Sequence, residues 1–284
     1  MGGNTRNIAW GIIAAWLVVT LISFFTPQLI SANNARFINV ALLSAFTVVH
    51  GSARYGLRGI STYFVIAVVV TNITENCSII TGFPFGQYHH TAAMGPQLWH
   101  VPIIVGPIFA VAGYLSWVLA GILLRDVFSD QHVKGVARPL IAAFITSSWD
   151  FCVDAIGGTA NRDWVWANGG PWFGVPWLNF FGWMLTMWII FQLFSFYLGR
   201  NGKLRSISAD SPYFMQVVVY WTLIALQFPL LALIVPALTF TDPSGHVWHS
   251  AHLFQSMALV SVFTMLFVSV VAFSVLRREI KRAD

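Results

Sequence analysis

Two carboxylates, Asp150 and Asp154, stand four residues apart in the run IAAFITSSWDFCVD, which is otherwise uncharged and long enough to be part of a membrane span. Residues four apart share one face of a helix. Acids inside an apolar span are expensive, normally turn toward a cavity or the bundle interior, and mark a functional site by default. Two acids in one water-poor site hold a proton between them, which is what general acid chemistry requires. Here they lie beside Trp149 and Phe151. The plainer reading is a structural ion pair or cap, for which Arg162 is a candidate partner. Glu75, at the end of an earlier apolar run, has the same two readings: it holds a water or tunes the aspartate pair, or it is structural.

The segment after the acids, WVWANGGPWFGVPWLNFFGW, is rich in Trp, Gly and Asn. Most of the chain's 13 Trp and 24 Phe belong to the core or to the aromatic belts of a membrane protein. Those beside the acids, Trp149, Trp164, Trp166, Trp172, Phe173 and Trp183, could instead stabilise a carbocation through their π faces. His246, His249 and His252 recur every third residue. No Cys pair or HExxH pattern accompanies them, so interfacial histidines at a helix start are a better reading than a metal site. Aspartate-rich diphosphate motifs, a P-loop, GxGxxG and GxSxG are all absent, against prenyl transfer, nucleotide-driven transport and nicotinamide chemistry.

The elements that must position these residues are membrane helices. Only 9% of residues are charged, 57% are hydrophobic and the mean hydropathy is +0.72, whereas a soluble domain carries about 25% charged residues. At roughly 20 residues per span, 284 residues suffice for seven or eight helices in one polytopic domain, 1–284. The apolar segment 8–25 reads as a first span rather than a cleaved leader, and Cys77 and Cys152 read as free thiols. Apolar runs place spans at about 8–28, 36–50, 60–76, 101–124, 138–156, 176–198, 214–239 and 251–276. With eight spans, thirteen of the fifteen Lys and Arg fall on one side and only Arg36 and Arg162 on the other. By the positive-inside rule both termini are then cytoplasmic. The expected fold is an all-α bundle of about eight transmembrane helices in the cell membrane. Its site belongs in the non-cytoplasmic half, where the acids and six of the eight histidines collect.

The runs ENCSIITGFPFGQYHH, GPQLWHVP, WDFCVD and WVWANGGPWFGVPWLNFFGW resemble those of the CruF-type carotenoid biosynthesis family, integral-membrane hydratases acting on acyclic carotenoid ends. The resemblance extends over roughly residues 40 to 280. It implies cofactor-independent addition of water to a terminal isoprenoid double bond. Residue by residue it also implies that Glu75 is the acid before the Gly-Phe-Pro-Phe-Gly loop. Gly82, Phe83, Pro84, Phe85, Gly86, Tyr88 and His89 match that loop, Asp150 and Asp154 the acidic helix, and Gly174, Pro176, Asn179, Gly182 and Trp183 the final motif. Two positions depart from the family pattern: Ala155 where it has Pro, and His90 where it has Tyr.

Residue chemistry and resemblance together give one expectation. Asp154 or Asp150 protonates the alkene, and aromatic faces stabilise the tertiary cation. The other carboxylate, with Glu75, His89 or Asn179, then orients the water. Tyr88, His89, Trp149, Trp166, Phe173, Asn179, Trp183, Phe83 and Phe85 are the expected substrate contacts. No metal or cofactor is implied, and the partners are membrane lipid and an apolar carotenoid or polyprenyl substrate entering from the bilayer, not nucleic acid. A membrane terpene cyclase sharing the protonation step is the alternative enzyme. A non-enzymatic isoprenoid-binding or transport protein is the third reading.

Overall fold

In a computed structural model, residues 3–125, 131–201, 212–242 and 245–283 are described. They form eight helices: α1 (Gly3–Phe25), α2 (Ala32–Thr81), α3 (Val105–Leu123), α4 (Gln131–Asp154), α5 (Trp177–Asn201), α6 (Pro212–Ile234), α7 (Ser250–Val260) and α8 (Phe267–Ala283). π-helical turns prolong α4 over Ala155–Ala160 and join α7 to α8 over Ser261–Leu266. The protein is an all-α integral membrane protein. Among the described residues, seven helical stretches are long and apolar enough to cross a membrane.

The expected spans 36–50 and 60–76 both fall in α2, a single element of 50 residues. Run straight, it would measure about 75 Å, more than twice the roughly 30 Å hydrocarbon core. It does not run straight. Gly56, at φ 69° and ψ 166°, takes a conformation that a Cβ would oppose, and the chain turns back there. Beside the turn, a Cβ on Gly51 would fall 2.6 Å from Ile60 Cδ1. Arg36 and Glu75, 39 residues apart in sequence, line one cavity, though a straight helix would separate them by about 58 Å. The arms 32–55 and 57–81 therefore run antiparallel. Counted as one helix or two, α2 is what separates seven apolar stretches from the expected eight.

Helix α3 is the hub, with 15 of its 19 residues buried. Small residues let its neighbours approach closely, as is usual between membrane helices. A Cβ on Gly106 would meet Val68 at 3.2 Å, and one on Gly113 would meet Met187 at 2.5 Å and Tyr63 Oη at 2.7 Å. Three two-stranded antiparallel ribbons cap one end of the bundle. They pair β1 (Tyr88–His90) with β4 (Trp164–Trp166), β2 (Gln97–Leu98) with β3 (Val101–Pro102), and β5 (Thr239–Thr241) with β6 (Val247–His249). Apolarity alone did not reveal this cap, because its strands are only two or three residues long.

Candidate active site

The loop after α2 is clamped by Ser78. Its Oγ donates to the Gly86 carbonyl at 2.8 Å and accepts from the Phe85 amide at 3.0 Å. On α5, Gly182 has no side chain to keep this loop away: a Cβ there would fall 2.6 Å from Phe85 and 2.7 Å from the Pro84 carbonyl oxygen. The GFPFG run thus docks on α5 and delivers β1 to the bundle. In β1 side chains alternate between faces. Tyr88 and His90 turn inward, where the Tyr88 hydroxyl donates to Glu75 Oε2 and His90 Nε2 lies 3.4 Å from the same oxygen. Glu75 is only 4% exposed, so Tyr88 and His90 supply the partners that a buried carboxylate requires.

Across from Glu75 stand the two aspartates. Asp150 and Asp154 are buried on one face of α4. Asn179, in the first turn of α5, points its amide at both, donating to Asp154 Oδ2 and reaching Asp150 Oδ2 at 3.4 Å. Asp150 Oδ1 is buried and has no hydrogen-bond partner among the described residues. Just beyond Asp154 the helix widens into its π-helical turn, a feature common at functional sites. Gly157 and Gly158 admit the β4 indoles there: a Cβ on Gly157 would fall 2.3 Å from the Trp164 ring, and one on Gly158 would fall 2.8 Å from Trp164 Nε1. Strand β4 pairs Trp166 with Tyr88 and Trp164 with His90, which closes the cap over the acids.

These elements enclose a cavity of about 320 Å³, at the small end of the roughly 300–1,000 Å³ usual for ligand sites. Asp154, Asn179, Glu75, Tyr88 and His90 line it together with Trp149, Trp166, Trp183, Phe109 and Trp221. Trp183 stacks on Phe109 at 3.7 Å between ring centroids and meets the edge of Trp149 at 6.0 Å. Asp150 is one helical turn further from the cap and does not line the cavity. Two buried nitrogens of lining residues, His90 Nδ1 and Trp166 Nε1, have no hydrogen-bond partner among the described residues.

A profile of the family described as "Carotenoid biosynthesis protein" matches residues 35–241. The chain belongs to that family. It is similar to the bisanhydrobacterioruberin hydratase of Haloarcula japonica, with 26% identity over 155 residues, or 53% of this chain and 49% of that one. The match therefore spans about half the length of this curated relative. No solved structure matches. The family segment contains Arg36, Glu75, Tyr88, His90, Asp154, Asp163 and Asn179, so it supplies nearly all of the cavity's polar wall. The aromatic contributions of Trp16 and Phe24 from α1 lie outside it.

Seven of the residues expected at the site line this cavity: Asp154, Glu75, Tyr88, Trp149, Trp166, Asn179 and Trp183. His89 does not. Strand alternation turns it outward, where it is exposed, and His90 takes the inward position. Phe83 is likewise outside the cavity, 64% exposed, because the docked loop presents only its second phenylalanine to the core. Phe85 is buried but packs behind the wall, 6.4 Å from Phe109 between ring centroids. Phe173 belongs to the cap, 5.4 Å from Trp248. Arg162 donates to the Thr241 carbonyl, so the structure offers the aspartates a different partner, Asn179. His249 and His252 approach each other to 5.0 Å between ring centroids without joining the cavity.

Sequence reasoning passed over Arg36 and Asp163, which form an ion pair at the cavity wall. Arg36 also donates to Met94 Sδ at 3.0 Å. The signal was present: Arg36 is one of only two cations expected on that side of the membrane. Its acidic partner lies 127 residues away, beyond any local pattern. His90 was recoverable in principle, had residues 88–90 been read as a strand.

Proposed function

We propose that this protein adds water to a terminal isoprenoid double bond of a carotenoid or related polyprenyl lipid. The observation that carries this reading is Asp154. It is a buried carboxylate opening on an aromatic-walled cavity, tied through Asn179 to a second carboxylate that the cavity does not reach. Asp154 gives its proton to one alkene carbon, and the other becomes a tertiary cation. The π faces of Trp149 and Trp183 stabilise that charge. Water attacks the cation, and the resulting oxonium returns a proton to the Asp154 carboxylate, directly or by way of Glu75 on the same cavity, which restores the acid. Asn179 holds Asp154 in position and stabilises its anion. Membership in a carotenoid biosynthesis family and likeness to a protein named as a hydratase support the substrate class.

Hydration is favoured over cyclisation by the opposite wall. A cyclase cavity has to exclude water from the cation, whereas here Glu75, Tyr88 and His90 form a polar cluster on the same cavity. The unpartnered His90 Nδ1 and Trp166 Nε1 provide further places for a water to bond. The cavity is too small for a whole polyene and suits one end. Helices α1 and α6 contribute Trp16, Phe24, Phe228 and Leu231 to its lining. Their exposed apolar side chains, Leu21 and Leu233 among them, favour entry from the bilayer. By the loop-charge bias the cavity lies in the non-cytoplasmic half.

The test is a product assay with purified protein in nanodiscs, offered acyclic carotenoids and shorter polyprenyl chains in ¹⁸O-labelled water. Hydration yields a product heavier by one labelled water. A product of unchanged mass and altered retention identifies cyclisation instead, and no product from folded protein leaves the binding or transport reading in its place.

A further inference from the structure

Between Glu75 and Arg125 the chain carries no Asp, Glu, Lys or Arg. That stretch contains the whole connection from α2 to α3, so the β2–β3 hairpin is uncharged. A surface in contact with water ordinarily mixes in charged side chains. This hairpin instead presents Leu98, Trp99 and Ile103, which are 54%, 74% and 60% exposed, while Val101 and Pro102 on its second strand are buried. Trp99 makes the turn with His100 and has φ 58°. Two-residue hairpins normally place Gly or Asn in such a left-handed conformation, and a bulky side chain there is an outlier.

The hairpin is also held in an unusual place. On the second arm of α2, Val65, Val69, Ile73 and Ile80 are each 50% or more exposed, and their spacing puts them on one helical face. On a membrane-spanning arm, an unpartnered apolar stripe of this kind faces lipid. Asn76 falls on the same stripe, between Ile73 and Ile80, and its Oδ1 accepts from the His100 amide at 3.2 Å. Asn76 stands five residues before the end of α2 at Thr81, about 7.5 Å along the helix axis. The tip of the hairpin therefore reaches back along the lipid-facing side of α2. At its base the Ile103 amide donates to the Pro96 carbonyl at 2.9 Å.

We infer that the β2–β3 hairpin docks on the lipid bilayer, with Trp99, Leu98 and Ile103 seated in the interface on the cap side. Trp favours this zone because its ring is largely apolar while its N–H still finds polar partners. The depth is bounded from both directions. Contact with Asn76 sets the tip below the end of α2. The outer N–H and C=O groups of the two strands keep it out of the hydrocarbon, where exposed strand edges do not occur. The occupant is the lipid that already covers the α2 stripe, because stripe and hairpin form one continuous surface. The inference is independent of the hydratase reading.

The experiment attaches a nitroxide spin label at one site at a time, through Leu98→Cys or Ile103→Cys, with the protein in phosphatidylcholine and phosphatidylglycerol nanodiscs. Cys77 is exposed and is removed by Cys77→Ser, whereas Cys152 is buried and stays. Collisions with oxygen, which concentrates in lipid, are compared with collisions with a water-soluble nickel chelate. Val69→Cys supplies the lipid reference, and Asn33→Cys, exposed in the first turn of α2, the aqueous one. Both hairpin labels are expected to give an oxygen-to-nickel ratio severalfold above that at Asn33. Ratios equal to that at Asn33 place the hairpin in water and overturn the inference. Labels that neither reagent reaches place it against protein, such as a second copy of the chain, and overturn it as well. Trp99→Gly separates docking from folding, because Gly relieves the left-handed turn. The unfolding temperature in detergent should hold or rise, while the ratio at Leu98 falls toward the aqueous reference. A lower unfolding temperature with an unchanged ratio would make Trp99 a packing residue and remove it from the docking surface.

Discussion

The two aspartates are chemically identical and four residues apart, yet their surroundings differ, and the proposed hydration gives them different work. Asp154 lines the cavity and accepts a hydrogen bond from Asn179. Asp150 lies behind it, and its contact with Asn179 is long at 3.4 Å. Asn replaces Asp with almost no change of volume, so Asp154→Asn removes the transferable proton while leaving the packing in place. A positioned general acid contributes about 10²- to 10⁴-fold, and that loss in turnover is the expected effect, equivalent to about 2.7–5.5 kcal/mol of barrier. Asp150→Asn keeps an acceptor oxygen and costs at most about one hydrogen bond of the cluster. At about 0.5–1.5 kcal/mol for a net hydrogen bond, turnover should fall about two- to tenfold. Both variants are assayed by single-turnover formation of the ¹⁸O-labelled product, with size-exclusion and circular dichroism controls for folding. If Asp150→Asn costs as much as Asp154→Asn, or if Asp154→Asn keeps near-normal turnover, Asp154 is not the sole proton donor and the proposed division of labour between the two aspartates is wrong.

Three further expectations follow from neighbouring geometry. His90→Ala leaves Glu75 without one of its partners and should lower turnover by about 10- to 100-fold, whereas His89→Ala, on the outer face of the same strand, leaves it unchanged; parallel product assays decide. Gly157→Ala would drive a methyl group into the Trp164 indole, so a loss of about 1–3 kcal/mol should appear as a lower unfolding temperature in detergent. Arg36→Gln strands the carboxylate of Asp163, which is 6% exposed at its side chain. Breaking such a pair from one side costs about 3–5 kcal/mol when fully buried. Because Arg36 is partly exposed, a loss of about 2 kcal/mol is expected, and Arg36→Gln/Asp163→Asn should recover part of it in the same melting experiment.

The fold class was legible because membrane helices announce themselves locally. Each needs about 20 apolar residues in a row, and the runs near 8–28, 138–156, 176–198 and 214–239 overlap most of α1, α4, α5 and α6, with ends that differ by up to seven residues. The acids were legible for the same reason, since a charge inside such a run stands out against its neighbours. Sequence by itself therefore determined an all-α membrane protein with Asp150, Asp154 and Glu75 as its unusual groups, and the motif resemblance pointed to the family that residues 35–241 match.

Tertiary structure decided everything that depends on which faces meet. Whether Gly56 continues α2 or folds it back on itself depends on packing against α1 and α3, and the reversal is what brings Arg36 and Glu75 to one cavity. Strand β1 is three residues long and finds its partner, β4, about 75 residues later. No periodicity in three residues could say that His90, and not His89, faces Glu75. The same holds for Asn179, whose amide reaches two carboxylates because α5 packs along α4. Composition and local spacing specify which groups are costly to bury; only the assembled bundle specifies which partners offset that cost.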